Sequence, residues 1–328
     1  MSRPTLRAAL AVALAAGLAL SGCAPTTTAP GERAAADESW PRVIEHELGE
    51  TEIPAKPVRI VSTSLTLTGT LLAIGAPVVA SSATSPGGIA DDNGFFAQWS
   101  DAAADAGVEV LYPDLEFDEE AVIAAEPDLI VVSTTGADST ADQYEALSEI
   151  APTIVLDYGA DSWQLLAEKL GEATGLEEQA AQLVESFDAE VARVAGEITV
   201  PEGTANAVVF SGAEYDLAFA KPQGAHAQLL TALGFTVEGA PDEFDTSEQP
   251  RNDFAFVSLE NSAVALTGQT VFLVSGEESD AEALAATPVF ANAPAVTSDG
   301  IVPLGATSFR IDYYSALGVV AAIEKAFA

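Results

Sequence analysis

The chain has 328 residues, enough for two ordinary domains or one large domain with a substantial buried core. Hydrophobic residues make up 48% and charged residues 19%, a balance that excludes disorder as the overall state. The 12 Lys and Arg residues against 50 Asp and Glu residues give a net charge of -38, which argues against nucleic acid or an anionic membrane surface as a partner. The single cysteine excludes a disulfide framework and a cysteine-based zinc site.

The N-terminal segment has the layout of a secretory signal. Arg3 and Arg7 precede a short apolar run that ends in a Leu-Ser-Gly-Cys motif at Cys23. This order resembles a bacterial lipoprotein signal, in which Cys23 becomes the lipidated first residue; an ordinary buried thiol is the alternative. We expect a signal peptide over 1–22, a flexible tether over 23–39, and extracytoplasmic attachment to the outer face of the cell membrane through the lipid anchor only.

The folded body alternates short β-branched runs with longer helical patterns, and it does so twice. Strands that are apolar on both faces and separated by helices predict an α/β fold with mostly parallel sheets. In the first lobe, we predict strands over 58–62, 77–81, 108–111, 128–133 and 153–156, and helices over 66–74, 119–125 and 139–149. In the second lobe, we predict a strand from near Ala205, strands over 270–275 and 300–304, and helices over 225–233 and 312–326.

One apolar stripe runs through residues 177–198, between the two series. Its apolar residues recur every three or four positions, which predicts a continuous helix roughly 33 Å long. We expect this helix to join a lobe over 40–176 to a lobe over 199–328 and to limit hinge closure around a ligand cleft between the lobes. An ordinary surface helix inside one domain is the alternative.

Several motifs make the folded chain recognisable. The most diagnostic are Ser-Leu-Thr-Leu-Thr-Gly-Thr at 64–70 and Phe-Arg-Ile-Asp-Tyr-Tyr-Ser at 309–315; Ala-Ala-Glu-Pro-Asp-Leu-Ile at 124–130 is a weaker match. On these motifs the chain resembles the ferric-siderophore binding lipoproteins of iron ABC importers, in particular the ferric-enterobactin-like ones. The resemblance implies two lobes joined by one helix, and a receptor that delivers a ferric siderophore, of the catecholate class, to an ABC permease. We expect it to act as a monomer.

The histidine and carboxylate content gives a separate check on that resemblance. A ferric siderophore already fills the six coordination positions of iron, so its carrier needs no metal ligands and no cofactor. The two histidines are His46, in a hairpin near the N-terminus, and His226, near a helix start, too far apart in the chain for a recognised metal motif. The carboxylates show no EF-hand spacing. The sequence therefore predicts no metal site of its own.

A cation is the first requirement of a site for an anionic catecholate complex. Arg310 is the strongest candidate, because it lies in the best-matched motif and a guanidinium donates to catecholate oxygens while remaining charged. Tyr313 and Tyr314 follow by three and four residues and can share its face. An interlobe ion pair for Arg310 and core positions for both tyrosines are the alternative.

Other candidate contacts fall on both lobes. In the second lobe, Arg251, Lys221, Tyr215 and Phe219 belong to segments that can face the cleft, with solvated charge as the alternative for the two cations. In the first lobe, Trp99 is a candidate aromatic contact, although aromatic residues at helical spacing are also common in cores. Ser64 and Thr66 follow a strand end, where open α/β sheets place ligands, but they fit a helix cap equally well.

The match to the enterobactin-like pattern departs at two positions. Ile89 stands where the resemblance implies a basic residue, and Ala220 lies near where it implies an aromatic one. A site with fewer cations and one ring fewer also suits a less negative ligand. A hydroxamate or mixed siderophore, haem and a corrinoid therefore remain alternative ligands.

The resemblance also implies one docking glutamate on each lobe for arginines of the permease. By position, the candidates are Glu120 in the first lobe and Glu260 in the second, with a merely solvated role as the alternative for each.

An enzyme finds little support in the motifs. The sequence has no G-x-S-x-G elbow, P-loop, H-E-x-x-H or dinucleotide-binding fingerprint, so we expect no catalytic residues. A lipid-anchored hydrolase, and an adhesion or scaffold lipoprotein without a deep interlobe pocket, remain as alternatives from other functional classes.

Overall fold

A β-hairpin opens the part of the chain that the structure describes. The structure is a computed structural model, and it describes residues 39–247 and 252–328. Strands β1 (Arg42–His46) and β2 (Gly49–Ile53) pair antiparallel and bury Ile44 and Ile53. The signal peptide, Cys23 and all of the predicted tether except Ser39 lie outside the described residues.

The sheet of the first lobe is parallel throughout. Its strands are β3 (Ile60–Ser62), β4 (Val78–Ser81), β5 (Glu109–Val110), β6 (Leu129–Ser133) and β7 (Thr153–Leu156), in the order β5-β4-β3-β6-β7. Both faces of the central strands are buried, because alternate residues of β6 enter two different hydrophobic clusters. The continuous apolar runs that suggested parallel strands therefore report burial on both sides.

Helices cover both faces of this sheet. They are α1 (Leu65–Ala73), α2 (Ser100–Ala106), α3 (Glu119–Ala124), α4 (Tyr144–Ile150) and α5 (Trp163–Thr174). The predicted helix over 139–149 is in fact a 3-10 turn at Ala141–Gln143 followed by α4. Helices α2 and α5 were not predicted. The hairpin closes one sheet edge, where the Glu47 amide donates to the Val155 carbonyl at 3.0 Å.

The α/β fold class is confirmed, but of the two sheets only the first is mostly parallel, and the sheet of the second lobe is mixed. Helix α6 (Glu177–Glu197) leads to β8 (Ala205–Val209), β9 (Leu217–Ala220), β10 (Phe254–Val257), β11 (Thr270–Leu273) and β12 (Ile301–Pro303), in the order β10-β9-β8-β11-β12. Strands β8, β11 and β12 are parallel, but β9 is antiparallel to both of its neighbours. The short 210–216 connection explains why β9 runs antiparallel to β8, because a parallel crossover needs a dozen or more residues.

The remaining helices pack on the second sheet and at the C-terminus. They are α7 (Ala225–Ala232), α8 (Leu259–Ala265), α9 (Glu278–Ala286), α10 (Pro294–Thr297) and α11 (Tyr313–Phe327). In the part of the chain that the structure describes, no helix is both long enough and apolar enough to cross a membrane.

One hydrophobic core continues from the first lobe into the second. It contains Leu71 of α1, Phe187 of α6 and Phe272 of β11, together with residues of α5, α7 and α11. The Trp163 ring of α5 lies 5.0 Å from the Phe187 ring and 5.7 Å from the Tyr313 ring, centroid to centroid, so three helices meet through aromatic contacts. Residues Ser39–Ala328 accordingly form one compact unit in which α6 is the long helix between the sheets.

Candidate functional site at the junction of the lobes

A network of buried hydroxyls lies where the strands of the first sheet end. Ligands of open α/β sheets bind at this carboxyl edge. The Thr63 and Thr140 hydroxyl oxygens are 2.7 Å apart, and the Ser82 hydroxyl donates to the Thr63 carbonyl at 2.9 Å. Because these groups satisfy one another, the edge is a rigid polar wall rather than a solvated surface. Its buried members are Ser62, Thr63, Ser64, Ser81, Ser82, Ser133 and Thr140.

Asp138 is the charged member of this wall. Its side chain, in the segment after β6, is only 5% exposed. One carboxylate oxygen accepts from the Ser64 hydroxyl and from the Thr66 amide, each at 2.8 Å, and the other accepts from the Tyr158 hydroxyl at 2.6 Å. The carboxylate therefore binds the N-terminus of α1, where negative charge is favourable, and also reaches the segment after β7.

Tyr158 stands at the outer side of Asp138 and is half-buried. Burial is the main cause that raises its pKa to about 12, and the adjacent Asp138 carboxylate adds to the effect. Gly136 makes the contact possible, because a Cβ atom at that position would overlap the phenol oxygen. Tyr158 is thus a neutral aromatic group with a fixed hydroxyl end at neutral pH.

Arg310 reaches this wall from the segment between β12 and α11. Its guanidinium carbon lies 5.7 Å from the Phe96 ring centroid and 5.7 Å from the Tyr158 ring centroid, within range of cation–π attraction. Among the described residues, no carboxylate lies within ion-pair distance of Arg310. The described residues therefore do not support the alternative of an interlobe ion pair for Arg310. The N–H donors of its guanidinium can bind an anionic ligand.

A buried cap fixes the segment that carries Arg310. Asp312 accepts from the Ser315 amide at 2.8 Å, and the Ser315 hydroxyl donates to the Arg310 carbonyl. Gln98 of the first lobe donates to the second Asp312 oxygen at 3.2 Å. Burial raises the pKa of Asp312 and outweighs these hydrogen bonds, which lower it. The cap therefore ties the start of α11 to the loop that also carries Phe96.

The sequence-predicted residues of the first lobe divide between the wall and the core. Ser64 is the N-cap of α1, as its alternative interpretation had it, and Thr66 is half-buried beside Asp138. Trp99 is 1% exposed and packs against Phe95 at 5.4 Å. Since its ring has almost no free surface, Trp99 is a core residue in this conformation and not a ligand contact.

In the second lobe, two predicted contacts are also occupied by packing. Phe219 is fully buried in β9, so it has no surface for a ligand. Tyr313 is half-buried and lies against Trp163 and Phe187 in the shared core, which was the alternative for it. Both aromatic residues therefore contribute to the hydrophobic interior.

The remaining predicted contacts of the second lobe do not meet Arg310 in the described residues. Lys221 pairs with Asp245 at 2.8 Å, and this ammonium, with Ser247, holds the pKa of the Asp245 carboxyl well below its usual range although burial opposes the shift. Tyr215 is 59% exposed in the loop before β9. Arg251 lies outside the described residues.

Of the two histidines, His226 contacts the segment that carries Arg310, whereas His46 lies in the hairpin. His226 is buried, its Nε2 lies 2.7 Å from the Ser308 carbonyl, and burial lowers its pKa. His46 contacts Thr51 and Tyr144 in the hairpin. Over residues 39–247 and 252–328, no group of three or more His, Cys, Asp or Glu side chains is arranged to hold a metal ion. Glu120 and Glu260 are exposed near the N-termini of α3 and α8.

Three residues of the junction were missed from the sequence: Phe96, Asp138 and Tyr158. For Asp138 and Tyr158, the signal in the sequence is that each follows a predicted strand. Asp138 and Tyr158 follow two predicted buried strands, at the edge where ligands bind. Phe96 stands three residues before Trp99, and only the fold shows which of the two rings faces Arg310.

Two α/β lobes joined by a long helix, with a cation and two rings where they meet, define a two-lobed substrate-binding protein. Residues 60–307 match the family model described as periplasmic binding protein, which is more than half of the chain. The chain belongs to the periplasmic binding protein family. This match confirms the prediction of a binding protein rather than an enzyme, because the family consists of substrate-binding proteins.

Individual relatives agree with the family and with the resemblance inferred from the motifs. The chain is 41% identical over 317 residues to the ferric enterobactin-binding periplasmic protein FepB of Escherichia coli O6:H1, covering 96% of each chain. It is similar to the crystal structure of holo-ViuP, with 40% identity, a TM-score of 0.81, and coverage of 88% of this chain and 96% of that one. The catecholate-siderophore binding protein VctP of Vibrio cholerae shares the fold, with 20% identity, a TM-score of 0.63, and coverage of 88% and 100%.

Proposed function

We propose that the protein is a lipid-anchored, extracytoplasmic receptor that binds a ferric siderophore of the catecholate class and delivers it to an ABC permease for iron uptake. The observation that carries the proposal is Arg310, a cation with no carboxylate partner among the described residues, set against Phe96 and Tyr158. A ferric tris-catecholate is anionic and presents aromatic rings. The Arg310 guanidinium and the half-buried Tyr158 ring beside it offer the charge and the aromatic surface that complement it, whereas Phe96 is 6% exposed and supports the guanidinium from the core side.

The overall charge of -38 does not prevent such binding. Physiological salt screens charges beyond a Debye length of about 8 Å, so the groups at the junction dominate the potential that a bound ligand meets. The name of FepB, a relative that shares 41% of its residues with this chain, specifies ferric enterobactin as that protein's ligand, which supports the same ligand class here.

The test is a fluorescence titration of the intact protein with ferric enterobactin, iron-free enterobactin and a ferric hydroxamate. Trp99 packs 6.1 Å from Phe96, so a ligand at the junction is expected to change tryptophan emission. We expect saturable quenching by ferric enterobactin that exceeds the response to the other two. No saturable response to any of the chelates would contradict the proposal.

A less negative siderophore is the second candidate, and Ile89 is the observation that favours it. Ile89 is half-buried beside the cluster of Phe95, Phe96 and Trp99, where the resemblance implies a cation. A site with one cation fewer binds a highly charged complex less well. Tighter binding of the ferric hydroxamate in the same titration would assign the protein to this class.

Delivery to a permease requires a docking surface on each lobe, and Glu120 and Glu260 are proposed for it. Both are exposed, so charge reversal to Lys leaves the core intact. We expect E120K and E260K to retain chelate affinity while uptake by vesicles that contain the permease falls. Glu145→Lys, an exposed site on α4, is the matched control and should leave uptake unchanged. Equal uptake by all three variants would contradict these docking positions.

The lipid anchor is proposed for Cys23, which stands after the apolar run. Cys23→Ser should release the protein from the membrane fraction, and mass spectrometry of the wild-type N-terminus should find a lipid. A Cys23→Ser protein that stays with the membrane would contradict the anchor.

A further inference from the structure

The Asp138 carboxylate is buried without a cation. Among the described residues, it forms no ion pair within 4 Å, and its three hydrogen bonds come from Ser64, Thr66 and Tyr158. An ionised group in such a place is costly unless donors surround it, so its neighbours must compensate for the burial. Two of the donors, the Ser64 hydroxyl and the Thr66 amide, belong to the start of α1, where Ser64 is also the N-cap. The third, the Tyr158 hydroxyl, joins a different segment.

The geometry of Tyr158 shows what this third hydrogen bond does. Its hydroxyl end is bonded to Asp138, and its ring lies against the Arg310 guanidinium. Phe96, the other ring beside Arg310, has no polar atom by which it could be held. Hydrogen bonds to a charged acceptor are shorter and stronger than neutral ones, so the Asp138 contact restricts the Tyr158 ring more than packing alone.

We propose that Asp138 is a positioning residue of the siderophore site, whose carboxylate holds the Tyr158 phenol so that its ring supports Arg310 against the ligand. The inference rests on the proposed function, since it assigns a role at the same junction. Asp138 acts through Tyr158 and touches no ligand itself.

The arrangement also keeps Tyr158 from competing for the iron. A phenolate is a ligand for ferric iron, whereas a protonated phenol with its hydroxyl bonded to a carboxylate is not. Burial and then Asp138 raise the pKa of Tyr158 to about 12, so loss of its proton to bind iron is less favourable than for an ordinary tyrosine. The iron therefore keeps the siderophore as its complete coordination shell while the complex is bound.

For Asp138→Asn, electrostatics and positioning predict opposite changes in the affinity for an anionic ferric chelate. Removal of a negative charge near the site should strengthen the binding of an anionic chelate if charge alone matters. Loss of the positioning contact should weaken it about ten- to a hundredfold, by analogy with the loss caused when a partner that orients a metal ligand is removed. Weaker binding in spite of the lost negative charge is therefore the expected and diagnostic result, measured by titration with ferric enterobactin.

Tyr158→Phe tests the same contact without a change at Asp138. It keeps the ring and leaves the Ser64 and Thr66 hydrogen bonds in place, so it remains informative even where Asp138→Asn fails to fold. We expect a comparable loss of affinity. In the double variant, the two losses should not add, because both remove one contact. Asp142→Asn, an exposed carboxylate four residues away, is the matched control and should not weaken binding.

An NMR measurement on the unliganded protein tests the contact between Asp138 and Tyr158 independently of the proposed function. In protein labelled with ¹³Cζ-tyrosine, the resonance absent from Tyr158→Phe belongs to Tyr158, and Asp138→Asn should shift it at neutral pH. Wild-type protein that binds no chelate would contradict the proposed function, whereas an unmoved resonance would contradict only the role of Asp138. Unchanged or tighter binding in Asp138→Asn, unchanged binding in Tyr158→Phe, or fully additive losses would likewise overturn that role.

Discussion

The two lobes contribute different chemistry to their junction. The first lobe supplies a wall of buried hydroxyls, the buried Asp138 carboxylate and the Tyr158 ring, which follow parallel strands, and the Phe96 ring, which lies in the loop before α2. Among the described residues of the second lobe, Arg310 supplies a guanidinium from an irregular segment before α11. The sheet of this lobe is mixed, and Lys221 beside β9 is paired with Asp245. In the part of the chain that the structure describes, a hydrogen-bonded network fixes the first-lobe side of the junction, and Arg310 is the cation on the other side.

This difference shows why the lobes need a fixed spacing. Neither lobe carries both the rings and the cation, so a ligand that needs both contacts is bound only where the lobes hold Arg310 near Phe96 and Tyr158. The shared core around Phe187 sets that spacing, and the Gln98–Asp312 hydrogen bond supports it at the junction itself. Substitution of Phe187 in the core should therefore affect stability, substitution of Arg310 should affect ligand affinity, and substitution of Asp312 in the cap should affect the pH dependence of stability.

The largest expected effect is on the shared core. Phe187 is 3% exposed and contacts Trp163 and Tyr313, so Phe187→Ala should lower the free energy of unfolding by about 3 to 5 kcal/mol. Both lobes should still unfold in one transition, measured by urea denaturation with circular dichroism and fluorescence. Glu185→Ala, an exposed site on the same helix, should change stability by less than about 0.5 kcal/mol. Two separate transitions in the wild type would show that the lobes do not share a core.

Arg310 should dominate the binding energy on the side of the second lobe. Arg310→Gln should weaken an anionic ferric chelate by about 2 to 5 kcal/mol, because it removes the charge at a desolvated contact. Arg310→Lys should give a smaller loss, since the charge remains while the planar donor fork is lost. Lys325→Gln, in the last turn of α11, is the matched control. Titration that finds equal affinities for Arg310→Gln and Lys325→Gln would remove Arg310 from the site.

Asp312 should make the junction sensitive to pH. Burial raises the pKa of Asp312 in the folded protein above its value in the unfolded chain. Its contribution to stability is therefore present at acidic pH and is lost as the pH rises through the folded pKa. Relative to Asp312→Asn, the wild type should lose free energy of unfolding as the pH rises from about 4 to neutrality, measured by urea denaturation across that range. A difference that stays constant with pH would contradict this assignment.

The sequence could predict the framework of the fold because burial on both faces leaves a strong pattern. The strand at Thr153–Leu156 was predicted with its observed bounds, and the apolar stripe of α6 predicted the long helix. The antiparallel strands β9 and β10 were missed because a run of four apolar residues carries no periodicity that distinguishes a strand from a buried loop. The antiparallel direction of β9 relative to β8 depends on the short 210–216 connection, whose end points the sequence does not mark.

The residues at the junction were only partly predictable, because neither charge nor aromatic type alone shows which side chains the fold brings together. Arg310 reaches the junction, and Thr66 lies at the wall beside Asp138. Trp99 and Phe219 have side chains that suit a pocket as well as a core, and packing that joins distant parts of the chain decided between the two. The same is true of Lys221, whose partner Asp245 is twenty-four positions further along the chain.

Substitution of Lys221 should have the smallest effect on ferric-chelate affinity, in clear contrast to substitution of Arg310. Both are cations of the second lobe, but Lys221 has Asp245 at 2.8 Å, so its charge is already compensated. Lys221→Gln should therefore change the affinity for a ferric chelate by less than about fivefold, the range of a partly exposed ion pair. The same titration that measures Arg310→Gln provides the comparison. A loss of affinity as large as that of Arg310→Gln would show that the ligand replaces Asp245 as the partner of Lys221. The proposed difference between Arg310 and the paired Lys221 would then be wrong.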